Sequence, residues 1–315
     1  MILSQIAWID CLAFLLFLAP QLLLHVNTID LAICACKAIP HLLLTLPSRL
    51  IHERYLTPRA HQSPFVQHAT LFQDLVIRCV RYAFTSIPAP IGAVFFSRPV
   101  ALLFLRFRML RHGFLYSPIY WRAINRKGLQ GLFLIHDETR RPDVVVYYCH
   151  GGGFSMGSSY FYLEFLFAWL PGLAIPISPW AVILNPNHRN TASDYLDKDS
   201  LHLYGSQYIG TKAKSDDPLV SPGSCKDLAW WRRASPTLGW FFVYGAEEVF
   251  APDARELVAV LKKGGIPVEV LEEKGWIHAW PVVKLFLCNS QAERQSGLRA
   301  MVKFMRERLE PGKDI

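Results

Sequence analysis

Residues 144–157 read VVVYYCHGGGFSMG, and no other stretch constrains the fold of this chain as tightly. A β-branched run passes without a break into Gly151, Gly152 and Gly153. Glycines at a strand's end let the backbone turn sharply and bring bare N–H groups close to a bound oxygen. Such donors stabilise an oxyanion, and losing one costs on the order of 10²–10³ in rate in acyl-transfer sites. A phosphate loop is the competing use, but the Lys-Ser/Thr pair of a P-loop and the spacing of a dinucleotide fingerprint are both missing. A strand-to-helix turn that binds nothing is the plainest alternative. The same stretch also matches G-x-S-x-G at Gly153–Gly157, the pattern of a nucleophile elbow centred on Ser155. One loop is poorly suited to both tasks.

Runs of strand character lie at Leu132–Ile135, Val144–Cys149, Leu173–Ile177, Trp240–Tyr244 and Val268–Glu272. Helix-like runs follow at Tyr160–Leu170, Ser193–Tyr204, Asp253–Lys263 and Ser290–Leu309. Strands alternating with helices predict an α/β fold on a largely parallel sheet. Two later segments carry chemistry. WFFVYGAEEVF, residues 240–250, is a strand ending in a glycine and paired acids. A carboxylate there can orient a histidine and stabilise its imidazolium form. VEVLEEKGWIHAW, residues 268–280, is a strand and then a loop carrying His278. Acid before histidine fits the chain order Ser…acid…His.

The chain has 315 residues and is 52% hydrophobic, enough for one large domain with an appendage. Its seven cysteines are odd in number and lack paired metal-site spacing, which predicts reduced thiols and no metal site. The net charge of +8 is concentrated in residues 49–111, which hold nine arginines, no lysine and only Glu53 and Asp74 as acids. No nucleic-acid motif accompanies them, so a nucleic-acid partner is not expected.

The basic stretch follows fifty strongly apolar residues. From Cys11 to Thr28 there is no Asp, Glu, Lys or Arg, close to the length of about 20 residues that a bilayer-spanning helix needs. Leu31–Leu46 is a weaker second stretch, with Lys37, Pro40 and His41. No basic segment precedes the apolar run and no clear cleavage site follows it, which argues against a signal peptide. Membrane attachment is the expectation, with arginines facing anionic headgroups and the orientation open. The alternative is a pair of hydrophobic helices packed on a soluble body.

HGGGFSMGS, ISPW, GAEEVF and GWIHAW, in that order, resemble the hormone-sensitive-lipase-like (fold-3) branch of the α/β-hydrolases. Within it the chain is similar to fungal steryl-acetyl-hydrolase-like esterases, from the apolar start to about residue 312. The resemblance implies hydrolysis of small acyl esters of hydrophobic alcohols, with no cofactor or metal. It implies membrane anchoring through the N-terminal segment, with the endoplasmic reticulum as the expected membrane. Gly151 and Gly152 would supply oxyanion N–H groups, Gly153 would keep the loop open, and His278 would be the general base. The family's acid is usually an Asp before a Val/Pro-Leu pair, where this chain has Glu248-Val249-Phe250. Glu248 is the first choice, Glu247 the alternate, and Asp253 a distant third because it looks like a first-turn helix residue. The expected division is a membrane-anchor region at 1–48, an Arg-rich helical cap at 49–125 and a hydrolase-type domain at 126–312.

One part is absent. The family places a GDSAG-like elbow between the oxyanion loop and the ISPW strand, and no such motif stands here. One helix, then Pro171-Gly172, leads directly into the strand ending in SPW. The sheet is therefore expected to be short by two strand–helix units, with the join near Leu170-Pro171. Ser155 would lie on the wrong strand, displaced from Glu248 and His278 by one or two strand spacings of ~4.8 Å. A nucleophile must sit within about 3 Å of its base. Ser178 and Ser221 lack an elbow altogether. A single right-handed βαβ crossover can still close the sheet, leaving part of the apolar helix 160–170 exposed. The competing expectation is an inactive membrane-bound remnant, a splice form or a truncated gene model of such an esterase.

Overall fold

The computed structural model describes residues 3–117, 120–126, 129–135, 157–168, 175–211 and 213–309. The expected strand Val144–Cys149, Gly151–Gly153, Ser155 and the join at 170/171 lie outside the described residues. The chain forms two compact units, each drawn from several segments. Unit 1 comprises Met1–Cys34, Pro88–Leu173 and Lys284–Val302; unit 2 comprises Ala35–Ile87, Ala174–Val283 and Lys303–Ile315.

The apolar start is helical. Helix α1 spans Trp8–His25, and Asp10 Oδ2 accepts the Ala7 N–H at 2.8 Å, satisfying one orphan donor of its first turn. A second helix runs continuously through Thr28–Leu56. Within it, α2 (Thr28–Pro40) and α3 (Leu46–Ile51) are linked by a wider turn at His41–Thr45, next to Pro40, which has no N–H to donate. The chain continues through α4 (Pro64–His68), α5 (Leu71–Ser86), α6 (Ala89–Phe95) and α7 (Arg98–Arg111). Thr70 and Gln73 close a reciprocal cap on α5. Pro90 and Pro99 stand in the first turns of α6 and α7, where the missing N–H costs nothing, so they start helices as well as separate them.

In unit 1, α1 packs against α6 and runs antiparallel to α7. Phe14 meets Phe104 edge-on at 5.4 Å, and Leu18 packs with Val94 and Val100. At the other end Asp10 meets Arg108 and Arg111 at 3.2 and 2.6 Å. Strands β1 (Tyr120–Arg126) and β2 (Leu129–Ile135) form an antiparallel hairpin in the register Tyr120 to Ile135 and Ile124 to Gly131. Trp121, Leu132 and Leu134 pack it against Leu105, Met109 and Leu163. Helix α8 is Leu163–Ala168. The exposure expected of this apolar helix is not found over Leu163–Leu166, which are buried. Glu164, its one acid, forms a bidentate pair with Arg108, at 2.9 Å from Nε and 2.7 Å from Nη2.

Unit 2 holds the parallel sheet. β3 (Trp240–Gly245) pairs with β4 (Val268–Glu273) along its whole length, from Trp240 beside Val268 to Gly245 beside Glu273. On its other side Ile177 bridges to Val243 in parallel, with the Ser178 N–H donating to Val243 O at 2.8 Å. β3 is therefore interior, and it is buried on both faces, as its unbroken apolar run requires. Phe242 and Tyr244 point into a core with Ala254, Leu257 and Leu261 of α11 (Ala251–Lys263) and Trp231 of α10 (Leu228–Ala234). Phe241, on the opposite face, stacks on Phe304 of α13 (Gln291–Leu309) at 4.6 Å. α12 (Trp280–Leu287) follows the loop after β4. The helix expected at Ser193–Tyr204 begins later, as α9 (Lys198–Ile209), where Asp197 caps the N–H groups of Asp199 and Ser200. Residues 193–196 precede it and carry Asp194.

Candidate active site

The site is built at the C-terminal ends of β3 and β4. β3 ends in Gly245, and the loop after β4 passes directly over it. A Cβ on Gly245 would lie 2.2 Å from Trp276 O and 2.7 Å from Ile277 O. Only glycine allows this approach. The contact brings the acid turn after β3 against the loop that carries His278, and the Glu247 N–H donates to Trp276 O at 2.9 Å.

Glu248 turns back into the sheet end and is 0% exposed. Its Oε2 accepts from Ser178 Oγ at 2.6 Å and from the Gly245 N–H at 3.0 Å. Burial raises its carboxyl well above the usual range, against the lowering effect of the Ser178 hydrogen bond, and the Asp194 charge adds to the rise. Ser178 sits at the end of the 175–178 segment in a left-handed conformation, φ 47°. A non-glycine residue there is uncommon. Its Oγ also accepts the Ala279 N–H at 2.8 Å. One hydroxyl thus joins the acid to the histidine loop.

His278 packs edge-on against Tyr195 and Phe250, with ring centroids at 5.6 and 5.3 Å. Burial pushes its pKa down to about 3, so the imidazole is neutral near neutral pH. Its backbone N–H donates to Asp194 Oδ1 at 3.3 Å. Asp194 also takes the Tyr195 N–H at 2.7 Å and, through Oδ2, the Val249 N–H at 2.8 Å. It is 1% exposed, and burial lifts its carboxyl to about 7 despite four backbone donors. Asn190 Nδ2 fastens the acid turn from outside, donating to Glu248 O at 3.1 Å. Among the described residues, Oε1 of Glu248 and Nδ1 of His278 have no hydrogen-bond partner.

The structure therefore brings together Glu248 and the loop of His278, in one unit. Glu247 is partly exposed beside them. Asp253 stands in the first turn of α11 and accepts from Asn185 Nδ2 at 2.6 Å. Ser221 has its hydroxyl committed to Ser215 O and to the Ile183 N–H. Ser178 is committed to Glu248 rather than to a base. Gly151, Gly152, Gly153 and Ser155 lie outside the described residues. Sequence reasoning missed Asp194 and the bridging part played by Ser178. The SPW turn after a strand marked the second; nothing in NTASD marked the first. Among the described residues no group of three metal-ligating side chains exists.

Residues 168–282 match the family described as alpha/beta hydrolase fold. No curated protein matches the chain. Among solved structures, an esterase from the bacterial hormone-sensitive lipase family is similar at TM-score 0.56 and 15% identity, over 76% of this chain and 99% of that one. EstE5 soaked with p-nitrophenyl butyrate gives 0.53 at 16% identity over the same shares, and an esterase/lipase from an uncultured bacterium gives 0.52 at 16%. The fold is thus an α/β-hydrolase fold.

Proposed function

We propose that this α/β-hydrolase chain is a membrane-associated ester-hydrolase scaffold that keeps the acid and base of a Ser–acid–His mechanism and has lost the nucleophile elbow. The observation that carries this is the bridge from Glu248 through Ser178 Oγ to the peptide after His278, at the ends of adjacent parallel strands. In the complete mechanism a serine attacks the ester carbonyl and His278 takes its proton. Glu248 orients the imidazole, and the N–H groups of Gly151 and Gly152 hold the oxyanion beside Gly153. The substrate class is a small acyl ester of a hydrophobic alcohol. The similarity to EstE5, a structure soaked with p-nitrophenyl butyrate, supports that class.

Two facts support the loss of the elbow. The sequence has room for one helix between the glycine loop and the strand ending at Ser178, and the family match begins at residue 168, beside the join at 170/171. Membrane association is supported by helices Trp8–His25 and Thr28–Leu56, both long and apolar enough to cross a bilayer. The test is hydrolysis of p-nitrophenyl butyrate by the whole chain in detergent. The expected rate equals buffer background, with no serine labelled by a fluorophosphonate. Turnover that Ser155→Ala abolishes would make this chain an active esterase and overturn the loss of the nucleophile.

A further inference from the structure

Helix α1 has two apolar faces, and unit 1 covers one of them. On the inner face Ala13 and Leu18 are buried and Phe14 meets Phe104. On the outer face Ile9, Leu12, Leu15, Leu16 and Leu23 are 53–70% exposed. Positions 9, 16 and 23 fall seven residues apart, with 12 and 15 between them, so they form one stripe. A helix packed on a protein body ordinarily shows a polar face to water. This one shows aliphatic carbon.

The packing of α7 decides how a bilayer can meet that stripe. Beyond α1, α7 carries the β1–β2 hairpin and Leu163 on Leu105 and Met109. For α1 to cross a membrane with its packing intact, α7 and the hairpin would have to enter with it. Among the described residues each hairpin strand pairs only with the other, and hydrocarbon cannot satisfy strand N–H and C=O groups left without a partner. Arg98 and Arg106 are also exposed along α7. If α1 instead crossed alone, it would strip Asp10 from Arg108 and Arg111, where Asp10 and Arg108 are both 0% exposed. Buried charges left unpaired are strongly unfavourable.

We infer that α1 is an in-plane docking helix. Its inner face stays on unit 1 and its Ile9–Leu23 stripe dips into the acyl boundary of a lipid surface without crossing it. Arg98 and Arg106 on the neighbouring helix supply charge complementary to anionic headgroups. This rests on the membrane reading above.

The test places an NBD fluorophore at Ile9→Cys, Leu16→Cys or Leu23→Cys in the whole chain. Cys11, Cys34, Cys36, Cys79 and Cys149 are replaced by alanine, and the buried Cys225 and Cys288 are kept. Depth in phosphatidylcholine–phosphatidylserine vesicles is read from quenching by spin-labelled lipids. An in-plane helix gives three equal, shallow depths. A position 16 deeper than both others, by about 10 Å at 1.5 Å per residue, would overturn the geometry while leaving membrane association intact. Quenching of all three by aqueous iodide, with the protein still floating on the vesicles, would overturn the docking face. Failure to float at all would sink the membrane reading itself.

Discussion

Gly245→Ala would drive a methyl group into the Trp276 and Ile277 carbonyls, and backbone cannot yield as a side-chain tip does. The expected cost is about 1–3 kcal/mol, read by urea denaturation; a neutral result would mean the His278 loop is not seated on the strand end. The histidine itself makes stability pH-dependent. Its folded pKa of about 3 lies below the ordinary 6.5, so below pH 6.5 the unfolded ring is charged and the folded ring is not. Stability from this group is complete above pH 6.5 and falls as pH drops toward 3. Asp194 acts in the opposite sense: raised to about 7 from 3.8, it favours the folded state below that range and loses the benefit as pH rises through 7. His278→Asn removes only the first effect. The variant should gain on the parent by at most about 1.4 kcal/mol per pH unit below 6.5. A stability difference that stays flat between pH 7 and pH 4 would show that the ring titrates normally. At this scale His278 and Glu248 were legible because each ends a strand in a distinctive turn. Asp194 was not, because its role is to collect N–H groups from Tyr195, Val249 and His278, which only the folded chain brings near.

Between elements, the Asp10–Arg108–Glu164 cluster fastens α1 and α8 to α7. Arg108→Met would leave Glu164 buried without its partner and Asp10 with Arg111 alone, at a cost of about 3–5 kcal/mol. The triple variant Asp10→Leu, Arg108→Met, Glu164→Leu should recover most of that loss, because an apolar core can replace a buried ion cluster. Thermal denaturation of both in detergent checks the pair; equal losses would mean that the cluster is not buried in solution. Glu164 also explains why α8 escapes the exposure expected from its sequence. Its lone charge looked like an interruption of an apolar helix, and it is instead the group that binds the helix to its neighbour. Helix type was readable from the apolar runs, whereas its partner, 56 residues earlier, was not.

At the scale of the molecule, most of the exposed large apolar side chains among the described residues lie before residue 57. The purified chain should therefore aggregate in plain buffer and become monodisperse in detergent or nanodiscs, as measured by light scattering on a sizing column. A monodisperse species without detergent would contradict membrane association. The sequence by itself determined that the chain is α/β, that its strands end in a glycine-carrying acid turn and a histidine loop, and that its first fifty residues are apolar helix. Those properties live in local composition and spacing, which a strand's side-chain preferences and a glycine's backbone freedom translate directly. The tertiary structure alone decided that Ser178 joins Glu248 to the peptide after His278, that Asp194 holds the histidine peptide, and that α1 is held down by buried charge. Each of these depends on groups between 70 and 101 residues apart, and packing rather than sequence spacing sets their distance.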